Sequence, residues 1–224
     1  SGSRFSAIWS LALLICVGIM MAIPPTVAQL DGAGRRGEVG PVWRQALWLA
    51  SIVGLLLLAF MRWSPQLLLW MHIAPEVQTP AAEFLQAISW GAPGLALFFA
   101  TRYLSEGLSW SKPTLVFGVA ALVLLLPVGY ALLFGFGPIP ALGAAGLGYA
   151  TAVVMWLQFL IFAGYLHSSR HFAHLGLLSR FEWPDWRVIG QPLVLGVPMG
   201  IAILMEGGLF VATATSGLGP FWEV

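Results

Sequence analysis

Hydrophobic residues are gathered into six long runs separated by short polar stretches. Each run is close to the roughly 20 residues that an α-helix needs to cross a bilayer. A membrane β-barrel would instead show short segments of alternating polarity. We therefore predict an all-α, polytopic membrane helix bundle with about six transmembrane helices. The runs are Phe5–Ala28, Ala46–Met71, Phe84–Thr101, Thr114–Phe134, Ala144–Leu166 and Val188–Ala214. The first run is too long for a secretory signal peptide, so we expect it to remain as a helix.

Composition supports a membrane-embedded chain. Hydrophobic residues make up 59% of the 224 residues and charged residues only 8%, whereas about 25% of a typical soluble domain is charged. A formal net charge of +1 gives no electrostatic case for binding nucleic acid. Cys16 is the only cysteine, so an internal disulfide is excluded.

The basic residues predict the orientation of the helices. Eight of the ten follow the first, third or fifth run, which places them on one side of the membrane. By the positive-inside rule that side is the cytoplasm. The eight residues are Arg35, Arg36, Arg44, Arg102, Lys112, Arg170, Arg180 and Arg187.

The longest polar connection, "HSSRHFAHLGLLSRFEWPDW", joins the fifth run to the sixth. Its basic and aromatic residues indicate a segment that lies along the membrane surface. His167, His171 and His174 have helical spacing, but an interfacial helix explains them better than a metal site does, since no carboxylate or cysteine accompanies them closely. We expect this connection to separate two helical units.

Glycines and prolines inside the runs indicate close packing and bending. Gly196 and Gly200 are four residues apart, and "GAAGLGYA" contains three glycines. Small residues at such spacing let membrane helices approach closely. Prolines interrupt the runs at Pro24, Pro25, Pro93, Pro127 and Pro198, and proline removes a backbone donor and kinks helices.

One carboxylate lies deep in a run. Glu206 is about five residues from the middle of the last run, which has no other charge. An ionised carboxylate near the bilayer centre costs on the order of 2.5–3.5 kcal/mol on insertion scales. Glu206 is therefore either a protonated hydrogen-bonding group or a carboxylate that exchanges a proton, metal cation or cationic substrate in a watery cavity. We favour exchange, because Pro198, Gly207 and Gly208 lie close by and allow the backbone to bend.

Motifs along nearly the whole chain resemble those of the multidrug and toxic compound extrusion (MATE) transporters, in their bacterial NorM-like branch. In chain order they are "AQLDGAGRRGEV", "WGAPG", "RYLSEGLSWSKP", "GPIPALGAAGLGYAT" and "RFEWPDW". Family members have twelve helices in two six-helix lobes. The resemblance implies that residues 1–166 are most of the amino-terminal lobe, 167–187 the inter-lobe linker and 188–224 the truncated first helix of the second lobe. The remainder of the full-length chain would then be a partner.

The resemblance also implies a function, namely cation-coupled antiport that exports diverse, often cationic xenobiotics across the bacterial inner membrane. It requires no cofactor other than sodium or protons as the coupling ion, and Glu206 matches the carboxylate that the family uses for coupling, with sodium as a candidate ligand. The chain departs from the family at "LLPVGY", where Leu125 and Gly129 replace two asparagines. A cation site in the amino-terminal lobe that uses those amides is therefore in doubt.

Two other functions remain open. A flippase for lipid- or polysaccharide-linked substrates belongs to the same superfamily, but anionic headgroups would favour basic residues inside the runs, and the basic residues lie almost wholly in the loops. A non-transporting membrane scaffold is the other alternative. No Ser/His pair, His/Glu pair or paired aspartates lie within the runs, so we predict that the protein is not an enzyme.

Overall fold

The chain folds as a bundle of α-helices. The computed structural model describes residues 14, 16–63, 75–135, 140–169, 172, 175–177 and 182–215, and these contain no β-strand. Residues 16–20 are helical and a turn at Met21 and Ala22 follows them. The later helices are α1 (Ile23–Gly32), α2 (Val39–Arg62), α3 (Pro75–Ser89), α4 (Ala92–Gly107), α5 (Lys112–Phe134), α6 (Gly143–Ser168) and α7 (Trp186–Thr215), with a 3₁₀ turn at Arg36–Glu38.

Length and apolar composition identify the membrane spans. Over the described residues, three helical stretches are long and apolar enough to cross a bilayer, namely Arg36–Arg62, Lys112–Phe134 and Gly143–Ser168. A bent pair of helices makes a fourth if it is one span. The predicted all-α membrane bundle is confirmed, and the protein is a multi-pass membrane protein. The start of the first predicted run and residues 64–71 of the second lie outside the described residues.

The third predicted run, Phe84–Thr101, is not one straight helix. It breaks at Trp90 and Gly91, where Ala82–Ser89 and Ala92–Gly107 meet at an angle of 51°. Pro93 lies in the first turn of α4, where a missing backbone donor costs nothing. The predicted interruption of this run at Pro93 is therefore confirmed, with the break at Trp90 and Gly91, just before the proline.

Side chains satisfy polar groups at this break. The indole N–H of Trp156 donates to the carbonyl oxygen of Trp90 at 2.9 Å, and the Ser89 hydroxyl donates to the carbonyl oxygen of Gln86 at 2.6 Å. The Arg62 guanidinium lies over the Trp90 ring, 4.7 Å from its centroid. Exposed carbonyls inside a membrane are costly, so these contacts stabilise the bend.

Glycines allow the helices from α2 to α6 to touch through their backbones. A Cβ built on Gly54 of α2 would lie 2.5 Å from the Cα of Pro93, and one on Gly148 of α6 would lie 2.8 Å from the carbonyl oxygen of Phe84. A Cβ on Gly146 would overlap the Leu132 carbonyl of α5. The predicted close packing of "GAAGLGYA" is therefore confirmed for Gly146 and Gly148. Gly143 has a φ of 57° and no close neighbour, and it begins α6.

The prolines have two structural roles. Pro24 and Pro25 lie at the start of α1, directly after the turn at residues 21–22. Pro127 lies inside α5, which continues unbroken to Phe134, and α7 is likewise helical through Pro198. The expected interruption therefore occurs near Pro24 and Pro93, where a helix begins at the proline.

The connections predicted to be cytoplasmic lie at one end of the bundle. Gly107, at the end of α4, packs against Val27 and the Pro24 carbonyl of α1, and Arg44 near the start of α2 contacts the connection between α6 and α7. Arg44 and Arg102, predicted to lie in loops, are instead inside α2 and α4. Arg44 binds the connection between α6 and α7, whereas Arg102 pairs with Glu106 within α4 at 2.7 Å. Arg170, His171, His174 and Arg180 lie outside the described residues.

Candidate functional site

Helix α7 carries the predicted site and has a well-defined start. The carboxylate Oδ1 of Asp185 accepts a hydrogen bond from the Arg187 N–H at 2.9 Å. The Asp185 carbonyl oxygen accepts from the N–H groups of Val188 at 3.0 Å and Ile189 at 2.9 Å. A side-chain acceptor at this position satisfies a backbone donor that the first turn leaves free. Asp185 therefore caps α7.

The predicted close packing at Gly196 and Gly200 is confirmed. A Cβ built on Gly18 would overlap the Cα of Gly200, and one on Gly196 would lie 2.7 Å from the carbonyl oxygen of Ile19. Both α7 glycines are buried. The backbones of α7 and of residues 16–20 are therefore in direct contact along one face of α7.

Glu206 lies away from this packed face. Twenty residues separate it from Trp186, which puts it about 30 Å along the helix axis. Six residues separate it from Gly200, which turns it about 120° around the axis from the glycine face. Its side chain is exposed. Pro198 is also exposed, and Gly207 and Gly208 continue the helix.

Within the described part of the chain, no ion pair or hydrogen bond of the Glu206 carboxylate is seen. The same residues contain no group of three or more His, Cys, Asp or Glu side chains that could hold a metal ion. A sodium ion at Glu206 would therefore take its other ligands from carbonyl or hydroxyl oxygens, from water, or from residues beyond those described. Its role as the coupling carboxylate remains a prediction.

The positions that depart from the family pattern lie in α5. Gly129 is buried, and a Cβ built there would lie 3.6 Å from Cδ1 of Leu147 in α6. Leu125 is half-buried four residues earlier on the same helix. Gly129 has no side chain and the side chain of Leu125 is apolar, so neither position offers a cation the amide oxygen that the resemblance implies there.

A polar cluster near the start of α2 was missed by sequence reasoning. We call Arg44, Gln45 and Trp48 the linker clamp, because all three bind the connection between α6 and α7. Arg44 Nη1 donates to the carbonyl oxygens of Gly176 at 2.8 Å and Leu177 at 3.2 Å. Its Nη2 lies 2.6 Å from Oε1 of Glu182. One guanidinium thus binds two separate parts of the connection.

Gln45 binds the residues that lead directly into α7. Its Nε2 donates to the Trp183 carbonyl oxygen at 3.0 Å, and its Oε1 accepts from the Asp185 N–H at 2.8 Å. Trp48 Nε1 donates to the Glu182 carbonyl oxygen at 2.9 Å. Gln45 is only 5% exposed. The amide side chain therefore pairs with the backbone on both sides of Pro184, as a neighbouring β-strand would.

The connection lies close to α2 because of a glycine. A Cβ on Gly40 would overlap the Leu175 carbonyl oxygen, so a larger residue would push the connection away. Phe172, Leu175 and Leu177 are buried and fix it further. The available sequence signal was the polar pair Arg44–Gln45 beside an apolar run, but Arg44 was interpreted only as a marker of topology.

A cavity adjoins the start of α7 at the same end of the bundle. Its volume is about 600 Å³, and its lining includes Thr26, Gln29, Arg35, Glu38 and Val188. Arg35 and Glu38 form an exposed ion pair with 2.7 Å between Nε and Oε1. Because Val188 is in the first turn of α7, the position of that turn sets one wall of the cavity.

A polytopic helical bundle with a bent pair of helices and a carboxylate deep in an apolar helix has the features of a membrane transporter. The sequence model of the MatE family matches residues 2–131, which is more than half of the chain. The chain therefore belongs to the MatE family, the multidrug and toxic compound extrusion transporters.

Known proteins agree with this assignment. The chain is 46% identical over 209 residues to a probable multidrug resistance protein NorM of Xanthomonas campestris pv. campestris, covering 93% of this chain and 45% of that protein. It is 39% identical over 217 residues to the multidrug resistance protein MdtK of Yersinia enterocolitica, covering 96% and 48%. The chain thus spans about half the length of the curated relatives it matches.

A solved structure shares the fold. The MATE transporter NorM-NG, determined in a complex that includes a monobody, superposes with a TM-score of 0.70 and 28% sequence identity, covering 100% of this chain and 48% of that one. The predicted membership of the MATE family is confirmed.

Proposed function

We propose that the complete gene product is a multidrug efflux antiporter of the bacterial inner membrane, driven by sodium or protons. In this proposal residues 1–166 belong to the amino-terminal lobe, 167–187 connect the lobes, and 188–224 begin the second lobe. The relatives named as multidrug resistance proteins support this class of function. The observation that carries the proposal is the exposed carboxylate of Glu206 in the apolar helix α7.

Physical chemistry favours a role in exchange. A carboxylate that enters a membrane without a partner either takes up a proton or attracts a cation, because burial disfavours its charged form. Glu206 lies on a face of α7 that is not packed against residues 16–20. In the proposed two-lobe protein this face borders a cavity between the lobes, and the cation would be bound there. The carboxylate then alternates between charged and neutralised states.

Competition at one carboxylate couples ion entry to drug export. When Glu206 is charged, it attracts an organic cation. When it is protonated or bound to sodium, its charge is neutralised and the affinity for the drug falls. An ion that enters from outside therefore releases the drug there. Opening of the site alternately to each side, as transporters with repeated halves achieve, completes the cycle.

Glu206→Gln tests the proposal in the complete gene product. The amide keeps the shape of the side chain and removes its charge. We expect efflux of ethidium from cells or vesicles under an imposed sodium or proton gradient to fall to background. Membrane insertion, measured by the amount of protein recovered from the membrane, should be unchanged.

Glu83→Gln is the matched control. Glu83 is an exposed carboxylate of α3, and its neutralisation should leave efflux unchanged. If Glu206→Gln exports ethidium at the wild-type rate, then Glu206 is a structural hydrogen-bonding residue and the proposed coupling role is wrong.

A further inference from the structure

The linker clamp connects α2 to the helix that carries Glu206 through a short series of contacts. Gln45 accepts from the Asp185 N–H at 2.8 Å, and the Asp185 side chain accepts from the Arg187 N–H of the first turn of α7 at 2.9 Å. Two hydrogen bonds thus lie between a buried residue of α2 and the α7 backbone. A shift at Gln45 is passed directly to the start of α7.

Arg44 holds the connection against α2 through three contacts. Its guanidinium binds the carbonyl groups of Gly176 and Leu177 and the carboxylate of Glu182. These groups come from either end of the segment 176–182, and the Arg44 side chain is only 10% exposed. The Glu182 side chain is 35% exposed, so the pair is only partly buried, but charge-assisted hydrogen bonds of this kind are stronger than neutral ones.

The start of α7 also forms part of the wall of the cavity at this end of the bundle. Val188 lines the cavity of about 600 Å³ beside Thr26 of α1. Gln45 and Val188 also line a smaller pocket between α1 and α2. The first turn of α7 therefore lies against α1 and α2, next to the clamp residue Gln45.

We propose that Arg44 and Gln45 are positioning residues for the transport cycle, which hold the first turn of α7 against α1 and α2 and so fix where Glu206 stands relative to the amino-terminal helices. The predicted effect of these residues on transport rests on the proposed function. Polar contacts suit the role, because hydrogen bonds can exchange partners during a lobe movement, whereas backbone contacts at glycines permit little rearrangement. The proposal assigns neither residue a contact with the ion or the drug.

A distance measurement tests the positioning role without relying on transport. Spin labels are placed at Leu56 of α2 and Ile201 of α7, two exposed positions outside the clamp, in the complete gene product with Cys16→Ala. Pulsed electron paramagnetic resonance then gives the distribution of label distances. We expect a narrow distribution in the parent and a broadened or shifted one in Gln45→Leu and Arg44→Ala. Arg44→Lys, which keeps the charge beside Glu182, should give an intermediate distribution.

Transport kinetics give the second readout. Gln45→Leu and Arg44→Ala should lower the maximal rate of ethidium efflux about tenfold, a factor that corresponds to about 1.4 kcal/mol. The half-saturating ethidium concentration should be unchanged, because the drug site is intact. Arg44→Lys should recover part of the rate. Arg102→Ala is the control, since it removes a 2.7 Å pair with Glu106 inside α4 and should alter neither readout.

The outcomes separate the two proposals. Absence of ion-coupled efflux in the parent would contradict the proposed function, while the label distances would still decide the positioning role. Label distributions in Gln45→Leu and Arg44→Ala that match the parent would overturn the positioning role. If the other two variants fail to reach the membrane, Arg44→Lys is measured in their place. A distribution of label distances in Arg44→Lys that matches the parent would also contradict the positioning role.

Discussion

Helices α2 to α6 and helix α7 are held in the bundle by different kinds of contact. The first group meets through glycines whose backbones touch a neighbouring helix, such as Gly54 against Pro93 and Gly148 against Phe84. Helix α7 meets residues 16–20 through Gly196 and Gly200, but its first turn is held by hydrogen bonds from the clamp residues Arg44 and Gln45 through the connection that precedes it.

This difference separates parts that are fixed from a part that can move. Close-packed backbones leave no room for sliding, because packed interiors lose contacts when neighbours shift by even a fraction of an ångström. Hydrogen bonds can be exchanged for others at little net cost if new partners are available. We infer that α2 to α6 move as one body and that the first turn of α7, which hydrogen bonds hold, changes its position relative to them.

The largest effect is expected for Gly54→Ala. The added Cβ would lie 2.5 Å from the Cα of Pro93, and neither backbone can yield without separating α2 from α4. Overpacking of this kind costs about 1–3 kcal/mol, and we expect the midpoint of thermal unfolding in detergent to fall by several degrees. A matched control is Gly164→Ala in α6, because a Cβ there meets nothing within 4 Å.

Alanine is a better helix former than glycine by about 1 kcal/mol, so Gly164→Ala should leave the unfolding midpoint unchanged or raise it. A fall of the same size in both variants would show that loss of glycine, rather than contact with Pro93, is responsible. That result would contradict the conclusion that the contact between Gly54 and Pro93 fixes α2 against α4.

A smaller effect is expected at the contact between α7 and residues 16–20. A Cβ on Gly18 would overlap the Gly200 Cα, whereas one on Gly200 would lie 3.6 Å from the Gly18 Cα, an ordinary contact distance. Gly18→Ala should therefore lower the free energy of unfolding by about 1 kcal/mol, and Gly200→Ala should not. Thermal unfolding of the two variants checks this asymmetry, and equal destabilisation by both would contradict the described orientation of α7.

The sequence predicted the bundle well because long apolar runs determine where helices can cross a membrane. It also indicated the close approach at Gly196 and Gly200, since small residues four apart lie on one helix face. Pro93 indicated an interruption of the third run, but the angle of 51° between the two helices could not be predicted, because the apolar pattern runs unchanged across the break. The start of α2 at Val39 was missed because Arg44 and Gln45 are polar.

Contacts between distant parts of the chain could not be predicted from periodicity. Gln45 and Asp185 are 140 positions apart in sequence, and no local pattern couples them. Glu206 was found because a charge in an apolar run is conspicuous without knowledge of its neighbours. The clamp residues lie near the start of α2 among other polar residues, where one more polar or charged residue is not conspicuous.

The central claim is that Glu206 alternates between binding a coupling ion and attracting a cationic drug. Equilibrium binding of ethidium to the purified complete gene product, measured at increasing sodium concentration and at decreasing pH, tests it most directly. We predict that the affinity of the parent for ethidium falls as sodium or protons are added, whereas Glu206→Gln binds ethidium weakly and independently of both ions. A Glu206→Gln variant that keeps the affinity and ion dependence of the parent would contradict the claim.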